Sequence, residues 1–211
     1  RDDFATDLLE LGQTLVGQGG SRVTGRTVGL DPFFAAYTQA SLPDGGVMAW
    51  RAFVGEADAV VIQGALVAPE GSPTTATFAP LVQLREQVHM DGALTWEELG
   101  RDEASGTLWA NLSDGSAVAV AASPAPSAWQ TGTISADPVG GGLTDTMEQG
   151  FQLVLAVDLE AAAGEQTSIR WVIATGDDPA DAVAQAQALL DSDDPLLDAE
   201  AHWAGWAPEA L

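Results

Sequence analysis

Ser168-Ile169-Arg170-Trp171-Val172-Ile173-Ala174-Thr175-Gly176-Asp177-Asp178-Pro179 is where this chain changes character. Its first seven residues are mostly β-branched or aromatic, which reads as a strand. The Asp-Asp-Pro that follows reads as a helix start. Asp177 or Asp178 supplies the cap, Pro179 fits the first turn, and Asp181 adds negative charge near the positive end of the helix dipole. Over 178–191, Val183, Ala186 and Leu190 fall on one stripe, a face suited to packing on a sheet. Pro195 restarts the chain, and Leu196 to Trp206 reads as a second short helix. It closes on Ala201-His202-Trp203-Ala204-Gly205-Trp206, whose two indoles need something to cover them.

Upstream of this junction the chain reads as strands and turns. Residues 4–16 admit a short amphipathic helix or a strand, closed by Gly17-Gln18-Gly19-Gly20. Arg22 to Val28 alternates as a strand, Asp31-Pro32 turns the chain, and Phe33 to Gln39 reads as the next strand. Pro43-Asp44-Gly45-Gly46 is a strong turn into Val47 to Val54. Ala57 to Val67 and Thr74 to Leu84 read as a second antiparallel pair around Pro69-Glu70-Gly71-Ser72-Pro73. Residues 85–105 read as a polar loop. Thr107 to Leu112 and Ala117 to Ala122 form a hairpin about Asp114-Gly115. Residues 127–135 offer a further strand, and Pro138 to Gly142 a glycine-rich loop. Phe151 to Asp158 and Thr167 to Ala174 are the last strands, joined through Ala161-Ala162-Ala163-Gly164. That makes roughly ten short strands with no helices between them, the pattern of an antiparallel sandwich rather than a doubly wound α/β fold. No repeat of about 20–50 residues points to a propeller or solenoid. The expected fold is therefore mostly β: a large antiparallel β-sandwich over 1–176 with a helical tail or linker over 177–211.

Composition narrows the function. The 211 residues are 46% hydrophobic, so a core forms despite a net charge of −24 from 31 acids against 7 cations. All of those cations are arginine. This balance argues against nucleic acid, whose phosphates require clustered positive charge, and against anionic membranes. Cysteine is absent, which removes disulfides, zinc–thiolate sites and thiol nucleophiles. No apolar run approaches the ~20 residues of a membrane span. The chain opens on Arg1 rather than Met, which suggests that an N-terminal piece has been removed.

No catalytic constellation emerges, and neither a cofactor nor a metal is expected. Glu97-Glu98 and Asp102-Glu103 lie near Trp96, but neighbours in sequence do not face one another across a substrate as glycosidase carboxyls must. His89 and His202 stand alone, without metal-ligand spacing. Loop serines such as Ser116, Ser123 and Ser127 have no base nearby in sequence. Gly140-Gly141-Gly142-Leu143 lacks the lysine of a phosphate loop. Asp191-Ser192-Asp193-Asp194 begins like a calcium loop, but Leu196 replaces its required glycine. Trp50 and Trp171 lie in apolar strands and read as core. Trp96, Trp109 and Trp129 are the candidate ligand-binding residues, because sugar CH faces pack well on indoles. Trp203 and Trp206 are the candidate interdomain contacts, being anchor residues of the kind that dominate interfaces.

The closing pattern also carries a resemblance. Ile169 to Asp178, Ala182 to Leu190 and His202-Trp203-Ala204-Gly205-Trp206 are similar to the end of the N-terminal β-supersandwich, a galactose-mutarotase-like sandwich, of bacterial glucoamylase-, trehalase- and maltose-phosphorylase-type glycosidases. In those enzymes the sandwich precedes a barrel of paired helices that holds two catalytic carboxylates. The resemblance implies a non-catalytic module that supports or completes the active site of a following helical catalytic domain, or that meets another protein partner. The alternative is a stand-alone secreted or periplasmic carbohydrate-binding module with an oligosaccharide as its ligand.

Overall fold

The computed structural model describes residues 9–30, 36–54, 59–84, 96–134, 137–150 and 152–206, excepting the side chains of 9–14, 27–30, 36, 83–84 and 202–206. Among the described residues thirteen strands run in chain order: β1 Leu9–Gln18, β2 Ser21–Val23, β3 Arg26–Leu30, β4 Ala36–Ser41, β5 Val47–Val54, β6 Val60–Val67, β7 Thr74–Leu84, β8 Trp96–Arg101, β9 Leu108–Leu112, β10 Ala117–Ser123, β11 Ala128–Gly132, β12 Gln152–Ala161 and β13 Gln166–Gly176. A 3-10 turn spans Pro138–Gly140, and two helices follow, α1 Pro179–Asp191 and α2 Pro195–Trp206. The strands form a five-stranded sheet ordered β11-β12-β7-β1-β2 and an eight-stranded sheet ordered β3-β4-β5-β6-β13-β10-β9-β8. Every neighbouring pair is antiparallel. The mostly-β sandwich with a helical tail is thus the observed architecture.

Alternation along the strands builds the core. Met48, Trp50, Ile62, Leu66, Ile169, Trp171 and Ile173 of the larger sheet meet Phe78, Val82, Leu153, Leu155 and Val157 of the smaller one. Trp50 and Phe78 touch edge to face across the sandwich, ring centroids 5.7 Å apart. Both expected core tryptophans lie here, Trp171 fully buried.

Part of each outer face is covered too, which is why strands such as β10 are buried on both sides. Phe53, Val61, Ala119, Val172 and Ala174 pack under Ala182 and Ala186 of α1 and under Leu196 and Ala199 of α2. On the other sheet, Val139 and Leu143 cover Ala79, Val154 and Ala156. Asp178, not Asp177, caps α1 by accepting from the Asp181 amide at 2.9 Å.

Several expectations are corrected. The segment open to helix or strand is strand β1 over 9–18; residues 4–8 lie outside the described residues. The expected strand Arg22 to Val28 is two, broken at Thr24-Gly25, so that β2 ends the five-stranded sheet and β3 begins the eight-stranded one. The expected pair Ala57–Val67 and Thr74–Leu84 is not a hairpin: β6 pairs with β5 and β13, while β7 pairs with β1 and β12. Pro69 to Pro73 arches between layers about 10 Å apart, which a tight turn cannot bridge. β12 and β13 are likewise consecutive strands in opposite sheets. Part of the expected 85–105 loop is strand β8, an edge strand whose Trp96 and Leu99 enter the core while Glu97 and Glu98 stay in water. Its register shifts between Trp96 and Glu98, and the exposed carboxylates discourage a further strand from pairing there. The Asp31-Pro32 turn and the start of the Phe33 strand lie outside the described residues.

Candidate functional site

A concavity forms on the outer face of the five-stranded sheet, beyond the part that Val139 and Leu143 cover. It measures about 370 Å³ and is lined by Gly17, Gly19, Thr75, Thr77, Asp158 and Glu160, among others. Strand alternation sets these walls. On β12, Leu153, Leu155, Val157 and Leu159 point into the sandwich, so Asp158 and Glu160 point out. The register Asp158↔Thr77 and Glu160↔Thr75 places the β7 threonines directly opposite. Thr77 Oγ1 donates to Asp158 Oδ1 at 2.6 Å.

Beside this trough the β4–β5 turn reaches across from the eight-stranded sheet. Asp44 accepts from the Thr74 hydroxyl, from Gln18 Nε2 at 2.5 Å and from the Gly46 amide at 2.9 Å. Gln18 Nε2 also donates to the Thr75 carbonyl at 3.1 Å. The Thr74 hydroxyl above all, then the Gly46 amide, holds the Asp44 carboxyl below the usual carboxylate range. Gly46 is required here, because a Cβ on it would lie 2.6 Å from Thr74 Oγ1. The network ties the two sheets together at one end.

The chemistry of the trough is limited. Asp158 and Glu160 stand side by side on one strand, about 7 Å apart along it, and both are exposed. A hydrolytic carboxyl pair instead flanks its substrate from two sides. The trough offers hydroxyls, an amide and carboxylates for hydrogen bonding, and no aromatic platform. Among the described residues no group of three or more His, Asp or Glu is placed to hold a metal ion.

The candidate tryptophans occupy three environments. Trp96 is buried in the sandwich, its Nε1 without a hydrogen-bond acceptor. Trp109 lies on the opposite face of the same sheet, in the cluster beneath α1 and close against Gly100. Trp129, on edge strand β11, is half-buried against the inner core, and the Arg101 guanidinium sits 5.4 Å from its ring centroid. The fold brings Trp96 and Trp129 to the same inter-sheet core and does not bring Trp109 to them. The side chains of Trp203, Trp206 and His202, and all of His89, lie outside the described residues. Glu97 and Glu98 are exposed on β8. Asp102 accepts from the Ser105 hydroxyl and amide, and its carboxyl is likewise held below the usual range, by the hydroxyl first.

Sequence reasoning missed the Asp44–Thr74–Gln18 network, reading Asp44 only as a turn residue. It also missed Arg170, whose Nη1 donates to the carbonyls of Leu189 at 3.0 Å, Leu190 at 2.7 Å and Ser192 at 2.5 Å. The one available signal was an arginine at an outward position of an otherwise apolar strand.

No protein-family model matches the chain, and no curated protein matches it. Solved structures do. A bacterial glucoamylase complexed with acarbose aligns over 93% of this chain and 31% of its own, with a TM-score of 0.62 and 11% identity. A protein assigned as a kojibiose phosphorylase from the human microbiome aligns over 92% of this chain and 25% of its own, with a TM-score of 0.53 and 7% identity. Both are carbohydrate-active enzymes, and at these identities the likeness is one of fold. The chain spans between a quarter and a third of their length.

Proposed function

We propose that this chain is a non-catalytic β-sandwich domain of a carbohydrate-active enzyme, of the glycoside hydrolase kind, that supports or completes the active site of a helical catalytic domain. The observation that carries this reading is the alignment of 93% of the chain onto less than a third of a glucoamylase. Fold likeness alone does not transfer function. The chemistry of the site is in keeping with an accessory role, since the two carboxyls of the trough share one wall. In this reading α2 leads from the sandwich toward the partner, and Trp203 and Trp206 make the interdomain contact.

Reading the parent gene beyond Leu211 tests it. A helical domain of ~350–450 residues, larger than the usual single domain, is the expected finding, and glycosidase activity should then require that domain. A frame that stops near Leu211 removes the partner and defeats the proposal. The alternative, a stand-alone carbohydrate-binding module, draws on the partly exposed Trp129 beside Arg101. A glycan-binding screen in which Trp129→Ala abolishes a signal would favour it instead.

A further inference from the structure

The outer face of the eight-stranded sheet is only partly covered. α1 packs over β13, β10 and β9, and α2 adds Leu196 and Ala199 to the same apolar cluster. Beyond that cover, the register aligns a row Arg26–Gln39–Ala49–Ala65–Ser168 across five strands. Next to it lies Val47–Val67, in which Val67 is 40% exposed. Arg26, Gln39, Ala49 and Ser168 are exposed as well.

Charge sets this face apart. The chain carries 31 acids, yet β3, β4, β5, β6 and β13 contain no Asp or Glu and hold Arg26, Arg51 and Arg170. Arg51 is engaged with Gln63 and Arg170 with the end of α1. The Arg26 guanidinium has no hydrogen-bond or ion-pair partner among the described residues. At the opposite border, Arg170 pins the α1–α2 elbow beside β13, and the elbow exposes Asp191, Asp193 and Asp194.

We propose that this face is a docking surface for a second copy of the chain, related by a two-fold axis running along the strands. Such an axis exchanges left and right, so Arg26 at the β3 border of one copy meets the acidic elbow at the β13 border of the other. Two-fold contacts require this kind of self-complementarity. Aliphatic Ala49, Ala65 and Val67 form the centre, with polar residues around them, the usual anatomy of an interface. Two copies of net charge −24 repel one another overall, and that repulsion is least where these strands, which carry no Asp or Glu, come together. β3 to β13 spans four strand spacings, about 19 Å. A face of that width is small beside the ~800 Å² per partner of a standard interface, so the dimer is weak. The inference stands apart from the proposed function, because it needs no second domain.

Sedimentation velocity on the 211-residue chain at fixed ionic strength, over a wide concentration range, tests it. The expected result is a concentration-dependent dimer whose dissociation constant rises about tenfold or more in Val67→Glu, because a charge is then buried without a partner. Ala49→Glu repeats the test at a more exposed position should Val67→Glu misfold; circular dichroism and melting report the fold. Arg26→Glu should weaken the dimer, and adding Asp193→Arg should restore it. A monomer at every concentration overturns the proposal, as does a dimer indifferent to the glutamates. Failure of the charge swap to restore association overturns the two-fold arrangement.

Discussion

Replacing Arg170 by methionine should loosen the helical tail from the sandwich while leaving the sandwich's own layers in place. The last carbonyls of a helix have no partner within it, and they carry the negative end of its dipole. α1 has no basic residue in its last turn to meet them. Arg170 does so from β13, with one guanidinium nitrogen against the carbonyls of Leu189, Leu190 and Ser192. Hydrogen bonds to a charged group contribute about 1.5–3 kcal/mol, and the dipole adds about 0.5 kcal/mol. Methionine keeps the aliphatic stem, so the expected loss of about 2–3 kcal/mol belongs to the guanidinium. For a chain of this size that is a fall in melting temperature of about 4–12 °C. Lysine keeps the charge but lacks the planar fork, and should recover part of the loss. Chemical denaturation supplies the free energy, and amide hydrogen exchange locates it. Faster exchange across α1, with strands β12 and β7 unchanged, is the expected pattern. Arg170→Met within about 0.5 kcal/mol of the parent, with α1 exchange unaltered, would refute the reasoning.

Three further outcomes follow from the same geometry. Gly100→Ala would set a Cβ 2.0 Å from Trp109 Cζ2, so overpacking of about 1–3 kcal/mol is expected, read by thermal melting. Asp178→Ala removes the α1 cap and should cost about 1 kcal/mol in the same assay. Asp44 is held below its usual carboxylate pKa of 3.8 in the folded protein, chiefly by the Thr74 hydroxyl. Its contribution is therefore fully present above pH ~3.8 and lost as pH falls through the lower folded value. Asp44→Asn should flatten the acid limb of the melting profile below pH ~4; a limb that stays parallel to the parent's would contradict this.

The junction at Ala174 to Pro179 was legible because its signals are local. A β-branched run, an Asp-Asp-Pro cap and a helical stripe of Val183, Ala186 and Leu190 each act within a few residues, and α1 spans Pro179–Asp191 as they indicate. The β4–β5 and β9–β10 hairpins were equally legible, since Pro43-Asp44-Gly45-Gly46 and Asp114-Gly115 dictate tight turns. Strand β8 was not, because its two successive glutamates interrupt the alternation, and an edge strand needs only one buried face.

What the sequence by itself determined, then, was most of the strands and turns, the mostly-β class and the helical ending, because propensity, alternation and capping are properties of neighbours along the chain. Which sheet each strand joins was decided only by tertiary structure. β6 and β7, or β12 and β13, are consecutive yet lie in opposite layers, since their partners are strands distant in sequence. The sites followed the same division. Asp44 reaches Thr74 and Gln18, and Arg170 reaches the end of α1, only once the sheets have stacked and the helix has docked. Trp96 and Trp109 sit on opposite faces of one sheet by the pairing register of β8 and β9. Alternation says that adjacent side chains face opposite ways, but it takes packing to decide which face is buried.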